Sequence, residues 1–149
     1  MQNQKTDTEP IYKTLMLIWF AMLMSQVMFV VMAFVVKPEL LAFDMTKPVL
    51  GDNPAMVGLF AAAAFGDIII SLFFRKKFLE KSIAEQNVGA VQTALIIGCA
   101  LAEAVSLFGL ILAFAFNYQY FFLFSALGVI GVILHFPRRN DVEAASFRI

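Results

Sequence analysis

Residues 92–116 read QTALIIGCALAEAVSLFGLILAFAF, a run apolar enough to cross a bilayer that carries one carboxylate, Glu103, almost at its middle. About 30 Å of hydrocarbon takes roughly 20 residues of helix to cross, and this run exceeds that. An ionised acid at the centre of a spanning helix costs about 2.5–3.5 kcal/mol on insertion scales, so an intramembrane carboxylate points first to function. Any fold for this chain must therefore place an apolar helix in lipid and find a setting for Glu103.

The rest of the chain agrees with that solvent. Its 149 residues are 61% hydrophobic, well above the half-apolar composition of soluble domains, and the excess falls into four apolar runs. A formal net charge of +0 leaves no basic surplus to suggest nucleic acid as a partner. The single cysteine, Cys99, lies inside an apolar run and reads as a small packing residue. The first dozen residues, MQNQKTDTEPIY, are too polar for the core of a signal peptide, so the first run is expected to serve as an anchor.

Proline marks the ends of the runs, because it lacks the amide hydrogen that a helix interior needs. Pro10 precedes the first, Pro38 follows it, Pro54 opens the second and Pro137 closes the fourth. The expected fold is all-α, one four-span transmembrane domain over 1–149, a four-helix bundle with helices at about 11–37, 54–75, 82–116 and 119–136. Lysine and arginine are retained on the cytoplasmic side. Lys5, Lys13, Arg75, Lys76, Lys77, Lys81, Arg138, Arg139 and Arg148 share one side of a four-crossing chain, against Lys37 and Lys47 on the other. Both termini are thus expected in the cytoplasm, with the chain in the inner membrane of a bacterium.

Polar and small residues inside the runs are the candidate sites. Gln26, next to Ser25 in the first span, must face another helix to satisfy its amide. Met24, Met28 and Met32 form a stripe that reads as packing. In the second span Gly58, Ala62 and Gly66 recur every fourth position, a pattern that lets backbones approach, and Asp67 follows them. The third has its own small face, Gly98, Ala102, Ser106, Gly109 and Ala113, beside Glu103. Arg75, Lys76 and Lys77 suit topology and lipid headgroups. Ser82-Ile-Ala-Glu85 matches a capping box and would start the third helix two or three turns outside the membrane. Only Asn117, Tyr118 and Gln119 separate spans three and four, with Tyr118, Tyr120, Phe121 and Phe122 placed as an outer aromatic belt. His135 sits at the inner end of span four, and a short tail helix is expected to begin at Asn140.

The string CALAEAVSLFGLILAF at residues 99–114 resembles the carboxylate helix of the proteolipid c subunit of rotary ATP synthases. The likeness rests on Ala102, Glu103, Ala104, Gly109 and Leu110, and on a basic loop joining a small-residue helix to this one. It covers about residues 54–116, and spans one and four have no counterpart in that family's hairpin. The resemblance implies a c-like hairpin in spans two and three and a carboxylate, Glu103, that binds a translocated proton or sodium ion.

On this reading the protein is an oligomeric, ring-forming or otherwise assembled, proteolipid-like membrane protein. Low dielectric disfavours a charged carboxyl, so Glu103 is expected to be protonated at rest and hydrogen-bonded by Gln26, Ser106 or Asp67. The competing reading is a non-catalytic accessory or scaffold subunit of a larger membrane complex, with the acids as polar contacts between helices. There is no metal-ligand cluster, no Ser-His-Asp set and no Gly-rich phosphate loop, so neither catalysis nor a cofactor beyond a bound ion is expected.

Overall fold

The computed structural model describes residues 8–146, and among them the fold is all-α with no strand. Helix α1 runs Glu9–Val36, α2 Pro54–Ala84, α3 Val88–Phe116, α4 Phe122–Leu134 and α5 Arg139–Ser146. Single 3-10 turns at Pro38–Leu41 and Gln119–Phe121 join them. Lys5 and Arg148, which count in the charge asymmetry, lie outside the described residues. Helices α1, α2 and α3 are each long and apolar enough to cross a membrane. The fourth apolar segment, Gln119–Leu134, passes that test only together with α5, from which it is bent by 43°.

Helix α3 is the centre of the bundle, packing against α1, α2, α4 and α5. Its neighbours approach it with narrow lines. On α2 the buried residues are Val57, Ala64, Ser71 and Ser82, the first three at heptad spacing, which keeps a contact line on one face of a nearly antiparallel partner. On α1 only Leu15, Gln26 and Ala33 are buried. Much of the remaining perimeter is apolar and outward-facing, with Leu17, Phe20 and Val35 on α1 and Leu59, Phe65 and Ile69 on α2, as lipid requires.

The glycines of α3 and α4 set the closest approaches. A Cβ at Gly128 would stand 2.1 Å from Ser106 Oγ and 2.9 Å from Ala102 O. One at Gly131 would meet Ile68 Cδ1 at 2.7 Å, and one at Gly109 would meet Phe121 O at 2.7 Å. On α2, by contrast, a Cβ at Gly58 or Gly66 would meet nothing within 4 Å. The Gly58, Ala62 and Gly66 stripe therefore does not pack inside the chain, because α2 turns a different face, that of Val57 and Ala64, to α3. The α3 stripe, Gly98, Ala102, Ser106, Gly109 and Ala113, is wholly buried.

Several boundaries differ from the sequence expectation. The second helix does not stop at 75 and the third does not start at Ser82. Ser82 is a fully buried residue inside α2, its hydroxyl donating to Leu79 O at 2.7 Å. The chain turns at Gln86, which takes φ 49°, with the Asn87 amide reaching back to Ser82 O at 2.9 Å in a Schellman closure. Asn87 then caps α3 by accepting from the Gly89 amide at 2.9 Å. Helix α2, of 31 residues, is about 46 Å long at 1.5 Å per residue and is the longest of the three, while α3, of 29 residues, is about 44 Å. The tail helix begins at Arg139, one residue before the expected start.

The outer belt is also revised. Tyr118 and Phe121 are buried, closing the end of the bundle, and only Tyr120 and Phe122 of that group lie toward the surface. The segment between α1 and α2 is folded over this end. Gln119 donates to Asp44 O at 2.7 Å and accepts from the Asp44 amide at 3.1 Å, and Tyr118 donates to Val49 O at 2.8 Å. Burial, with Tyr120 alongside, pushes the Tyr118 phenol above its ordinary value. Lys37 donates to Phe114 O at 2.9 Å, a cation on the last carbonyls of α3. Met24, Met28 and Met32 face outward instead of packing inside.

Candidate functional site

Glu103 lies one residue past the midpoint of α3, on the edge of that helix nearest α1, and is half-buried. Its Oε1 is hydrogen-bonded to the Ser25 hydroxyl of α1. Ser25 Oγ is also 2.7 Å from Met22 O, the carbonyl one turn earlier in its own helix. A serine hydroxyl has one hydrogen to donate and two lone pairs to accept with. Both contacts are satisfied together when Glu103 itself carries a proton: the acid donates to Ser25, and Ser25 donates to Met22 O. If the acid is ionised, Ser25 must leave Met22 O to serve it. The trio thus has two hydrogen-bonding states that differ by one proton.

A second polar pair lies deeper. Ser106 of α3 donates to Gln26 Oε1 of α1, and both residues are 0% exposed. The Gln26 Nε2 group and, on α4, the Ser125 hydroxyl are buried without a hydrogen-bond partner among the described residues. Gly128 presses on this pair from α4, and Gln26 Oε1 would be 3.0 Å from a Cβ there. The residues expected to gather round Glu103 therefore divide: Gln26 and Ser106 meet each other, while the acid meets Ser25. Asp67, half-buried on α2, makes no hydrogen bond to Glu103. Sequence reasoning noted Ser25 only as a neighbour of Gln26. Adjacent positions on a helix differ by about 100°, so one polar doublet reaches two sites, and that was the available signal.

The end of the bundle where α5 packs holds another polar cluster. His135 is the C-cap residue of α4 and is 1% exposed. The Cδ2–Nε2 edge of its ring occupies the space where a Cβ at Gly98 would stand. Nδ1 is 2.7 Å from Gly131 O and Nε2 3.4 Å from Ser71 O. Beside it Arg75 turns inward from the Arg-Lys-Lys run, donating to Leu134 O and, at 3.1 Å, to Phe136 O, and pairing with Asp141 at 3.7 Å. Arg75 is therefore a cap for α4 and a tether for α5, not a free headgroup ligand; Lys76 and Lys77 remain exposed. Among the described residues no three of His, Cys, Asp and Glu converge to hold a metal.

Against protein-family models, curated proteins and solved structures, the chain matches none. The Ser25–Glu103 contact is thus the feature from which its chemistry has to be argued.

Proposed function

We propose that this is a four-span membrane protein with both termini cytoplasmic, in which Glu103 reversibly binds a proton at the seam between α1 and α3. The observation that carries the reading is the placement of Ser25 Oγ between Glu103 and Met22 O. Protonation and release of the acid then exchange one hydrogen-bond pattern for another without moving a helix. The half-exposed position at a helix edge leaves the carboxyl within reach of a partner or a proton donor. A sodium ion is served less well, since only the serine and one carbonyl converge with the acid. The likeness to a proteolipid hairpin supports the same role for Glu103 and an assembly of several copies. The exposed Gly58, Ala62 and Gly66 face of α2 is the surface fitted to such an assembly.

For the crossings, the ends of the bundle support the reading. The Arg139–Glu9 ion pair at 3.0 Å and the Gln86–Ala144 hydrogen bond at 3.2 Å bring the N-terminal end of α1, the α2–α3 turn and α5 together. Among the described residues, the basic side chains other than Lys37 and Lys47 thus lie toward that end. A second reading, an accessory subunit of a larger membrane complex, is favoured by one observation: the whole small face of α3 is consumed within the chain, so α3 has no such face left for a ring.

Carbodiimide labelling in detergent or nanodiscs tests the first reading, because the reagent adds to a protonated carboxyl in an apolar setting. Labelling of Glu103 is expected to fall as pH rises, and to vanish in Glu103→Gln. Labelling that is absent, or that does not respond to pH, overturns the proposal. Full assembly and biological activity of Glu103→Gln would support the accessory reading.

A further inference from the structure

We propose that the cleft between α2 and the α4–α5 corner binds the phosphate of an anionic membrane phospholipid, held by Arg138 and Lys76. The cleft has a volume of about 310 Å³, with Leu72, Leu79 and Ile83 of α2 among the residues lining it. Its charged residues are not equivalent. Arg75 and Asp141 line it but are committed to each other, and Arg75 also to the end of α4. Lys76 and Glu80 form an exposed pair at 3.9 Å, the kind of surface contact that is readily exchanged for a better one. The Arg138 side chain is exposed and has no hydrogen bond or ion pair among the described residues. One guanidinium and one displaceable ammonium thus stand over an apolar wall, and a guanidinium matches two phosphate oxygens at once.

That wall decides the kind of anion. Along α2 the face holding Leu72, Lys76 and Leu79 continues outward through Phe65 and Ile69, which are 60% and 68% exposed. Positions spaced by three, four and seven residues lie on one side of a helix, so an apolar track leads away from the basic rim toward the lipid. A free phosphate would engage the rim and leave the track bare. A phospholipid engages both, with its headgroup at the end of the bundle where the termini meet and its chains along α2. This proposal goes beyond the Glu103 reading and shares with it only the premise that the long helices lie in lipid. Basic pockets between helices at a membrane face are established headgroup sites in general, whereas a simple positive surface would use Lys77 as readily as Lys76.

Native mass spectrometry of the full chain released from mixed phosphatidylglycerol and phosphatidylcholine nanodiscs tests it. One phosphatidylglycerol per chain is expected to be retained in preference to phosphatidylcholine. Arg138→Gln and Lys76→Gln should each cut that retention at least fivefold, and Lys77→Gln should leave it unchanged. Unaltered Trp19 fluorescence would show that each variant keeps its fold, since the indole is bonded to Val132 O across α1 and α4. Glycerol phosphate at millimolar concentration should not displace the lipid. Equal losses in all three variants would overturn the site in favour of diffuse surface charge. Equal retention of both lipids would overturn the phosphate contact, and displacement by glycerol phosphate would overturn the lipid as occupant. None of these outcomes alters Glu103 labelling, so the two proposals fail separately.

Discussion

At Gly128 one hydrogen atom stands where any other residue would place a carbon. The space belongs to Ser106 Oγ and Gln26 Oε1, the deepest polar pair in the bundle. Gly128→Ala should destabilise the protein by about 1–3 kcal/mol, since added volume in a close-packed interior forces its neighbours off their positions. Gly58→Ala places the same methyl in open space and should be neutral or stabilising by up to about 1 kcal/mol, because alanine loses less backbone entropy in a helix. Thermal unfolding in one detergent, followed at Trp19, compares the two; equal midpoints would contradict the packing described. Asp44 carries a different prediction. The Thr46 hydroxyl and amide, at 2.7 and 2.9 Å, hold its carboxyl below the ordinary 3.8. A depressed acid contributes stability above its unfolded value and loses it as pH falls through the folded value. The turn at 44–46 should therefore persist at neutral pH and open only below pH 3.8, with Thr46→Val raising the Asp44 midpoint in an NMR titration.

At the level of elements, the α2–α3 connection shows how a sound local rule is overruled. Ser82-Ile-Ala-Glu85 has the letters of a helix start, yet these residues lie at the end of a helix. The outcome was decided by Asn87, whose side chain caps α3, and by Ser82, which the packed end of the bundle buries completely. Proline separates the alternatives. At Ile83 it would occupy the last turns of α2, where the amide is bonded and the ring clashes, and should cost about 3 kcal/mol. At Val88, the first residue of α3, it should be tolerated, because Asn87 is already extended at φ −118° and ψ 99°. Unfolding midpoints of Ile83→Pro and Val88→Pro check this, and the opposite order would restore the capping-box reading. Helix α5 depends on a comparably small set of contacts: buried Val142 and Ala145, the Arg75–Asp141 pair, and Arg139, which meets Glu9 at 3.0 Å and stands 4.9 Å over the Tyr12 ring.

For the molecule as a whole, the issue is which surfaces are finished. Helix α3 packs against four neighbours and leaves only a line through Ile96, Leu107 and Ile111 outward, and its small residues serve the chain's own fold. Helix α2 leaves Gly58, Ala62 and Gly66 outside. On the same molecule α2 and α4 part to leave an apolar cavity of about 420 Å³ roofed by Leu50 and Tyr118. If copies associate through the α2 stripe, Ala62→Leu should lower the subunit count seen by native mass spectrometry while Trp19-monitored unfolding stays within about 0.5 kcal/mol of the parent. An unchanged count would show that the stripe faces lipid.

The all-α class, the presence of three long apolar helices, their ends near proline, and the inward turn of Gln26 were legible in the sequence. Each follows from single residues summed over a window, or from the cost of an amide in hydrocarbon. The partner of Glu103, the buried position of His135 against Gly98 and the choice between two small-residue stripes were settled only in three dimensions. In a soluble helix, polarity marks the outer face. Here lipid is as apolar as a leucine core, so buried and exposed positions look alike in composition, and only the fit of one helix surface to another separates them.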